Sequence, residues 1–496
     1  MFNTASWQSH KEYQTIVRNS KARFNSDSRS LFRGQLEGIY RKLDALDLDL
    51  VGFALRQYYP SSGRPAIHQA QILRSLILFT LLLGKTSAKL SFSSWVRDVL
   101  PYEPAFIALV GCSSPYELPP LGSYFDFINR FWRGAKDIYH RRSSFPAGKN
   151  SKSFPKEIGP DGKLVDKSAS VKADQLVRLF LEDKPLTDNP ESVFQDIFFL
   201  SCVLPSLNKG IIPLDNLTVS GDGTAVISHS APGGHKLRNA KPEEENLRHY
   251  SDPDADFGYD SCKKVTYFGR TLYLLCCRND HFMVEVPLTF KFTSAKRHDS
   301  LNFLYTFDEL LKHSYSVNPH NICLDSAHDN AATYVLLDHL GINALIDING
   351  RTKSMEGAPN DISMDKDAKP HCRAGHCMVS VGNDPVKDAH KYRCPLRLGK
   401  VKECPYEAEC SPTAYGRTVY IHNHSDLRFN TGIPRGSDEY KDIYRQRTAC
   451  ERINNRVLND YMLQSMKIHG TMRFSFWMML IGICIHLDAW MKAGVI

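Results

Sequence analysis

Three acidic residues stand where a carboxylate is either costly or well placed for a ligand. Asp222 lies in LTVSGDGTAV, Leu217–Val226, between Gly221 and Gly223. The β-branched residues of this segment predict a strand, and a carboxylate inside a buried strand needs a partner to offset its desolvation. Asp325 follows the apolar run Ile322, Cys323 and Leu324. It therefore ends a second expected strand, where the ligands of α/β sheets gather. Glu451 lies in YRQRTACERINNR, an expected helix. If the three converge, they form an oxygen-rich site for Mg²⁺ or Mn²⁺. Two such ions about 4 Å apart can clamp both oxygens of an in-line phosphoryl displacement. Tyr444, Arg447 and Glu451 are spaced i, i+3, i+7 and fall on one helical face. There a guanidinium can grip a phosphate in bidentate fashion while the carboxylate holds metal. Asp329 is a rival for the second position, but Asp325 is preferred because it ends the strand directly. His298 and Asp299 are close enough in sequence to reach the site, although a structural role is expected for His298 and for His328.

A second cluster is sulfur-rich. Cys372, Cys377, Cys394, Cys404 and Cys410 are five of the 13 cysteines and are spaced C-x4-C-x16-C-x9-C-x5-C, with His371 and His376 alongside. Four such donors, tetrahedrally placed, would bind Zn²⁺. These spacings are looser than the usual C-x2-C pairs, so free thiols packed in a small insertion are the competing expectation.

Particular elements must position these residues. Strands are expected at Leu217–Val226, Lys264–Cys277, Phe282–Phe292, His320–Leu324 and Asn343–Ile348. Helices are expected at Leu301–His313 and Asn330–Leu340, the latter closed by Gly341. Three strands followed by alternating helices and strands give an α/β layout with a mixed sheet. Ahead of it, apolar periodicity predicts an all-helical unit over 1–139. Its helices are a buried one ending near Leu83, one over Ser91–Leu100, and one capped by Ser123 that runs to Trp132. Residues 140–212 read as a basic linker plus helices at Asp174–Leu181 and Pro190–Leu204. The linker reads first as a solvated basic tether; the alternative is an arm whose Arg141, Arg142, Lys149 and Lys152 track a nucleic-acid backbone. The core, 213–496, is interrupted by a loop-rich, Cys-rich insertion over 351–430, and becomes helical again from Asp438.

Composition limits the function classes. With 42% apolar and 23% charged residues over 496 positions, the chain can bury a large core. The longest apolar run, Phe474 to Leu487, is short of the ~20 residues of a membrane span and reads as a core helix, so no membrane partner is expected. The N-terminal MFNTASWQSHKEYQ has no apolar signal core. The expected compartment is therefore the reducing cytoplasm, where cysteines stay thiols or bind metal. The net charge of +8 suits a polyanionic partner.

The ordered motifs resemble the DDE transposases of bacterial insertion sequences. GDGT at Gly221–Thr224 is similar to that family's first-aspartate strand. YSDPDADFGYDSCKKVTYFGRTLYLL from Tyr250, SAKRHDS at Ser294–Ser300 and LDSAHD at Leu324–Asp329 resemble its next blocks. Tyr444, Arg447 and Glu451 match three members of its Tyr–Arg–Glu–Lys signature. The Lys position is Leu458, with Arg456 as the candidate substitute. RPAIHQAQILRSLILFTLLLG from Arg64 resembles the helical domain that often precedes the core. The resemblance implies an RNase H-like catalytic core and metal-dependent cleavage of double-stranded DNA at terminal inverted repeats. It also implies joining of 3′-OH ends to target DNA, a homodimer on DNA, and association with the bacterial nucleoid. It assigns Asp222, Asp325 and Glu451 to Mg²⁺, and Tyr444, Arg447 and Arg456 to the substrate. Another RNase H-like nuclease, or an inactive transposase-derived DNA-binding protein, would share part of this pattern.

Overall fold

The computed structural model describes residues 7–26, 34–60, 65–83, 91–134, 140–142, 168–186, 189–237, 247–260, 263–313, 317–350, 359–410, 413–422 and 426–496. Most of the expected basic linker, 143–167, lies outside them.

The central sheet is built from β1 (Thr218–Ile227), β2 (Asp256–Asp260), β3 (Val265–Asn279), β4 (Val284–Ser294), β5 (Asn321–Leu324) and β6 (Asn343–Ile346). β3 pairs antiparallel with β1 on one edge and with β2 and β4 on the other. β1 then pairs parallel with β5, and β5 parallel with β6. The parallel strands require crossovers. α1 (Asp299–His313) carries the chain from β4 to β5, and α2 (Ala331–His339) carries it from β5 to β6. Asn330 caps α2 by accepting a hydrogen bond from Ala332 N. The strands and helices expected for this core therefore form. β2 was not expected; it is only five residues long and is half exposed.

The helices of the first 131 residues do not build a separate core. One continuous apolar cluster joins Val17, Leu43, Leu76 and Phe127 to the sheet residues Leu274 and Phe290, to the short helix α3 (Thr448–Asn455) and to the C-terminal helix α4 (Thr471–Lys492). α4 is buried on nearly every side, and 89% of its most apolar window lies inside the protein. A helix that is apolar all round belongs in a core. The boundary drawn at residue 139 thus marks no break in packing among the described residues. Within 1–60 the helices are His10–Ser26, Gln35–Asp44 and Asp49–Leu55, which bury Tyr13, Val17, Ile39 and Leu43.

The insertion is more ordered than its composition implies. β7 (Val379–Asp384), β8 (Ala389–Arg393) and β9 (Thr418–His422) form an antiparallel sheet. A small core of its own, Ile362, Met364, Met378, Val419, Ile421 and Phe429, lies against it.

Candidate active site

β1 places Asp222 by alternation. Successive side chains of a strand point to opposite faces, so Gly221 and Gly223 face one way and Asp222 the other. A Cβ at Gly221 would lie 2.8 Å from the Tyr273 hydroxyl, and one at Gly223 would lie 2.5 Å from Asp299 Oδ1. Glycine at these positions lets α1 and β3 close on the strand. Asp222 itself accepts a hydrogen bond from Asn454 Nδ2 at 3.3 Å.

Asp325 sits where β5 ends, beside β1. Its carboxylate accepts from Ala327 N at 3.0 Å, and His328 Nδ1 lies 2.6 Å away. The other ring nitrogen of His328 lies 2.7 Å from the Tyr273 hydroxyl. His328 is fully buried. The expected structural histidine is therefore built into the support of Asp325.

Tyr444, Arg447 and Glu451 do not share one continuous α-helix. The helix Asp438–Tyr444 passes through a 3₁₀ turn, Arg445–Arg447, before α3 begins. Tyr444 donates to Leu324 O at 3.0 Å, which ties this turn to the end of β5. Ser220 Oγ donates to Gln446 O at 2.9 Å, and Cys450 Sγ donates to Ser220 O at 3.0 Å. These bonds seat α3 on β1. Arg447 then donates to Glu451 at 2.6 Å. Asn454 on α3 reaches Asp222, with Glu451 three residues before it on α3 and Arg447 seven before it in the 3₁₀ turn.

The charges are unevenly compensated. Burial, then the negative charges of Asp325 and Asp299, push the Asp222 carboxyl up to about 7. Burial opposes ionisation of Asp325 as well, but the His328 hydrogen bond and charge outweigh it and hold that carboxyl below its ordinary range. Burial disfavours a charged His328, yet Asp325, Asp299 and Asp222 together raise its pKa. Arg447 is raised despite burial, chiefly by Glu451, and it feels the charge of Asp222 too.

Other expected site residues are placed elsewhere. Arg456 does not take the place of the missing lysine. It donates to Asp488 on α4 at 2.8 Å, in an ion cluster shared with Lys42 and Tyr461. A π-helical turn, Arg456–Asp460, follows α3 and precedes this break from the site face. Leu458 packs on the core. Asp329 accepts from Asn349 N at 2.8 Å, so it fastens the loop after β6. Sequence reasoning passed over Asn454 and undervalued Asp299. The Glu451–Asn454 spacing was the available signal for the first. For the second it was the position of Asp299 at the first residue of α1, next to the glycine-flanked strand.

With this geometry in view, residues 228–487, just over half of the chain, match the family described as "Transposase DDE domain". The chain belongs to that family. The matched segment contains Asp325 and Glu451, and Asp222 lies just ahead of it. No individual curated protein matches the chain. Membership makes the protein a transposase-type enzyme with DNA as its substrate class.

The donor set suits a hard divalent cation. Asp222, Asp299 and Asp325 repel one another, and Asn454 Oδ1 is buried without a hydrogen-bond partner. Among the described residues, no three Asp, Glu, His or Cys side chains stand close enough, as placed, to hold an ion.

Proposed function

We propose that this transposase cuts double-stranded DNA at the terminal inverted repeats of a mobile element and joins the freed 3′-OH ends to target DNA by metal-assisted phosphoryl transfer. One observation carries the reading. Asp222 and Asp325, on neighbouring parallel strands, are close enough for one charge to raise the other's pKa, and Arg447 faces both. The strand order, with four antiparallel strands followed by two parallel ones reached through helices, supports an RNase H-like core.

Asp222, Asp325 and Glu451 would hold Mg²⁺ or Mn²⁺. Such ions, when bound, make a water nucleophilic near neutral pH and neutralise charge that develops on the phosphate. The chain's own residues do the rest. His328 fixes the rotamer of Asp325, and Asn454 fixes that of Asp222. Arg447, paired with Glu451, would offer its guanidinium to a phosphate. Tyr444 holds the turn that carries Arg447 against the end of β5. In the first step a water oxygen bonds to phosphorus, the bond to the 3′ oxygen breaks, and that oxygen gains a proton. In the second step the 3′-OH attacks a target phosphate, so one phosphodiester replaces another with no covalent enzyme intermediate. Two element ends need two such sites, which a homodimer on DNA would provide.

The test uses full-length protein and labelled duplexes carrying the inverted repeats that flank its gene. The expected result is Mg²⁺-dependent nicking that leaves 3′-OH ends, abolished by Asp222→Asn. No cleavage by folded wild-type protein with either Mg²⁺ or Mn²⁺ would overturn the reading.

A further inference from the structure

We infer that the insertion is held together by a structural zinc ion bound to Cys372, Cys394, Cys404 and Cys410, with Cys377 excluded. This is independent of the catalytic reading. The four thiols line one cavity of about 10 Å³, together with His376 and Arg417. That is room for a single water-sized atom, so it suits one ion rather than a multi-iron cluster. Cys377 is exposed, is absent from that lining, and donates its thiol to Met378 O at 3.6 Å.

Each of the four sulfurs is carried by hydrogen-bonded backbone. Cys372 opens a tight turn in which Gly375 N donates to Cys372 O at 2.7 Å and Cys372 N donates to His376 O at 3.0 Å. Gly375 takes the positive φ, 76°, that this turn requires. Cys394 follows β8 and donates its N–H to Arg417 O at 2.9 Å. The Cys404 carbonyl accepts from Glu407 N, and Cys410 ends the short helix Glu407–Cys410. Two turns, a strand end and a short helix thus bring the four cysteines around one cavity from distant parts of the sequence.

A further feature favours metal. Among the described residues, the insertion's own buried core is six side chains. Modules this small usually need a disulfide or metal staple. The thiols surround the cavity without standing within coordinating distance of one point. A change of staggered χ1 well swings each sulfur about its Cβ, and binding would release the thiol protons. Four thiolates in tetrahedral array select Zn²⁺.

The experiment is elemental analysis and thiol counting on full-length protein purified without chelator. The expected result is about one zinc per chain, with four thiols protected from alkylation until a chelator is added and Cys377 reactive throughout. Cys377→Ser should keep the zinc, and Cys404→Ser and Cys410→Ser should each lose it. Cobalt exchanged into the wild-type site should give thiolate charge-transfer bands of an all-sulfur site, which covers the case of serine variants that do not fold. Absence of zinc, iron with labile sulfide in its place, disulfides among the four, or loss of zinc in Cys377→Ser would each overturn the assignment.

Discussion

His328 joins Asp325 to the interior of the sheet: its Nδ1 lies 2.6 Å from Asp325 Oδ1 and its Nε2 lies 2.7 Å from the Tyr273 hydroxyl. The ring is fully buried, so its orientation is fixed and it fixes the carboxylate in turn. Groups that orient metal ligands in this way are worth about 10–100-fold in metal affinity or activity. His328→Gln should raise the Mg²⁺ concentration for half-maximal cleavage by roughly tenfold or more, with much of the rate restored at saturating Mg²⁺. Tyr273→Phe should shift it less. A Mg²⁺ titration unchanged in His328→Gln would reduce the residue to packing.

α3 brings Asn454 to Asp222, with Glu451 one turn before it. Asn454 is already bonded to Asp222, whereas Glu451 is half exposed and ion-paired to Arg447. We expect Asp222→Asn, Asp325→Asn and Glu451→Gln each to reduce cleavage to background while folding and DNA binding persist. Asn454→Ala, which removes only an orienting contact, should retain activity reduced by about 10–100-fold. Wild-type cleavage by Glu451→Gln together with background activity of Asn454→Ala would reverse the two roles.

The core was readable because its signals are local. The β-branched residues around Asp222, the apolar run before Asp325 and the Gly341 stop each specify an element without help from distant residues. Gly221 and Gly223 could be seen as unusual, but their reason could not, since it lies in Tyr273 and Asp299, reached only when β3 and α1 pack on β1. Arg456 misled for a similar reason. Its partner, Asp488, is 32 residues away on α4. The insertion looked loop-rich because β7 is exposed over most of its length, leaving too few apolar positions to reveal a period.

Acid should weaken the packing of α4 through His486. The ring is fully buried, bonded to Ser206 Oγ at 2.7 Å and Pro287 O at 2.8 Å. Burial lowers its pKa to about 4, from an ordinary 6.5. The unfolded chain therefore binds the extra proton between pH 6.5 and 4, and stability falls as pH drops through that window. The loss attributable to this group is at most about 3 kcal/mol. Urea unfolding at pH 7 and pH 4.5 should show wild type losing more stability than His486→Gln, although the variant starts lower. Equal losses in the two proteins would remove His486 as the acid-sensitive group.

The Asp252–Arg270 pair fixes the end of α4 to the sheet. Arg270 Nη2 donates to Asp252 Oδ1 at 2.6 Å, with both side chains essentially inaccessible. Asp252 also accepts from Ser228 Oγ at 2.7 Å and from Gly470 N at 3.0 Å, just before α4 begins. Burial disfavours its charge, but Arg270 and these donors more than compensate and keep its pKa below the ordinary range. Asp252 of the SDPDA segment is thus a tie between the sheet and the start of α4. Removing one partner of a buried pair strands the other charge, which costs about 3–5 kcal/mol. Asp252→Ala should lose that much in urea unfolding, whereas the double replacement Asp252→Leu, Arg270→Met should recover a large part of it. Per folded molecule, DNA cleavage by the double variant should match wild type. A loss below about 1 kcal/mol in Asp252→Ala would place the pair with exposed ion pairs, which contribute little, and the anchoring of α4 would then rest on its apolar burial alone.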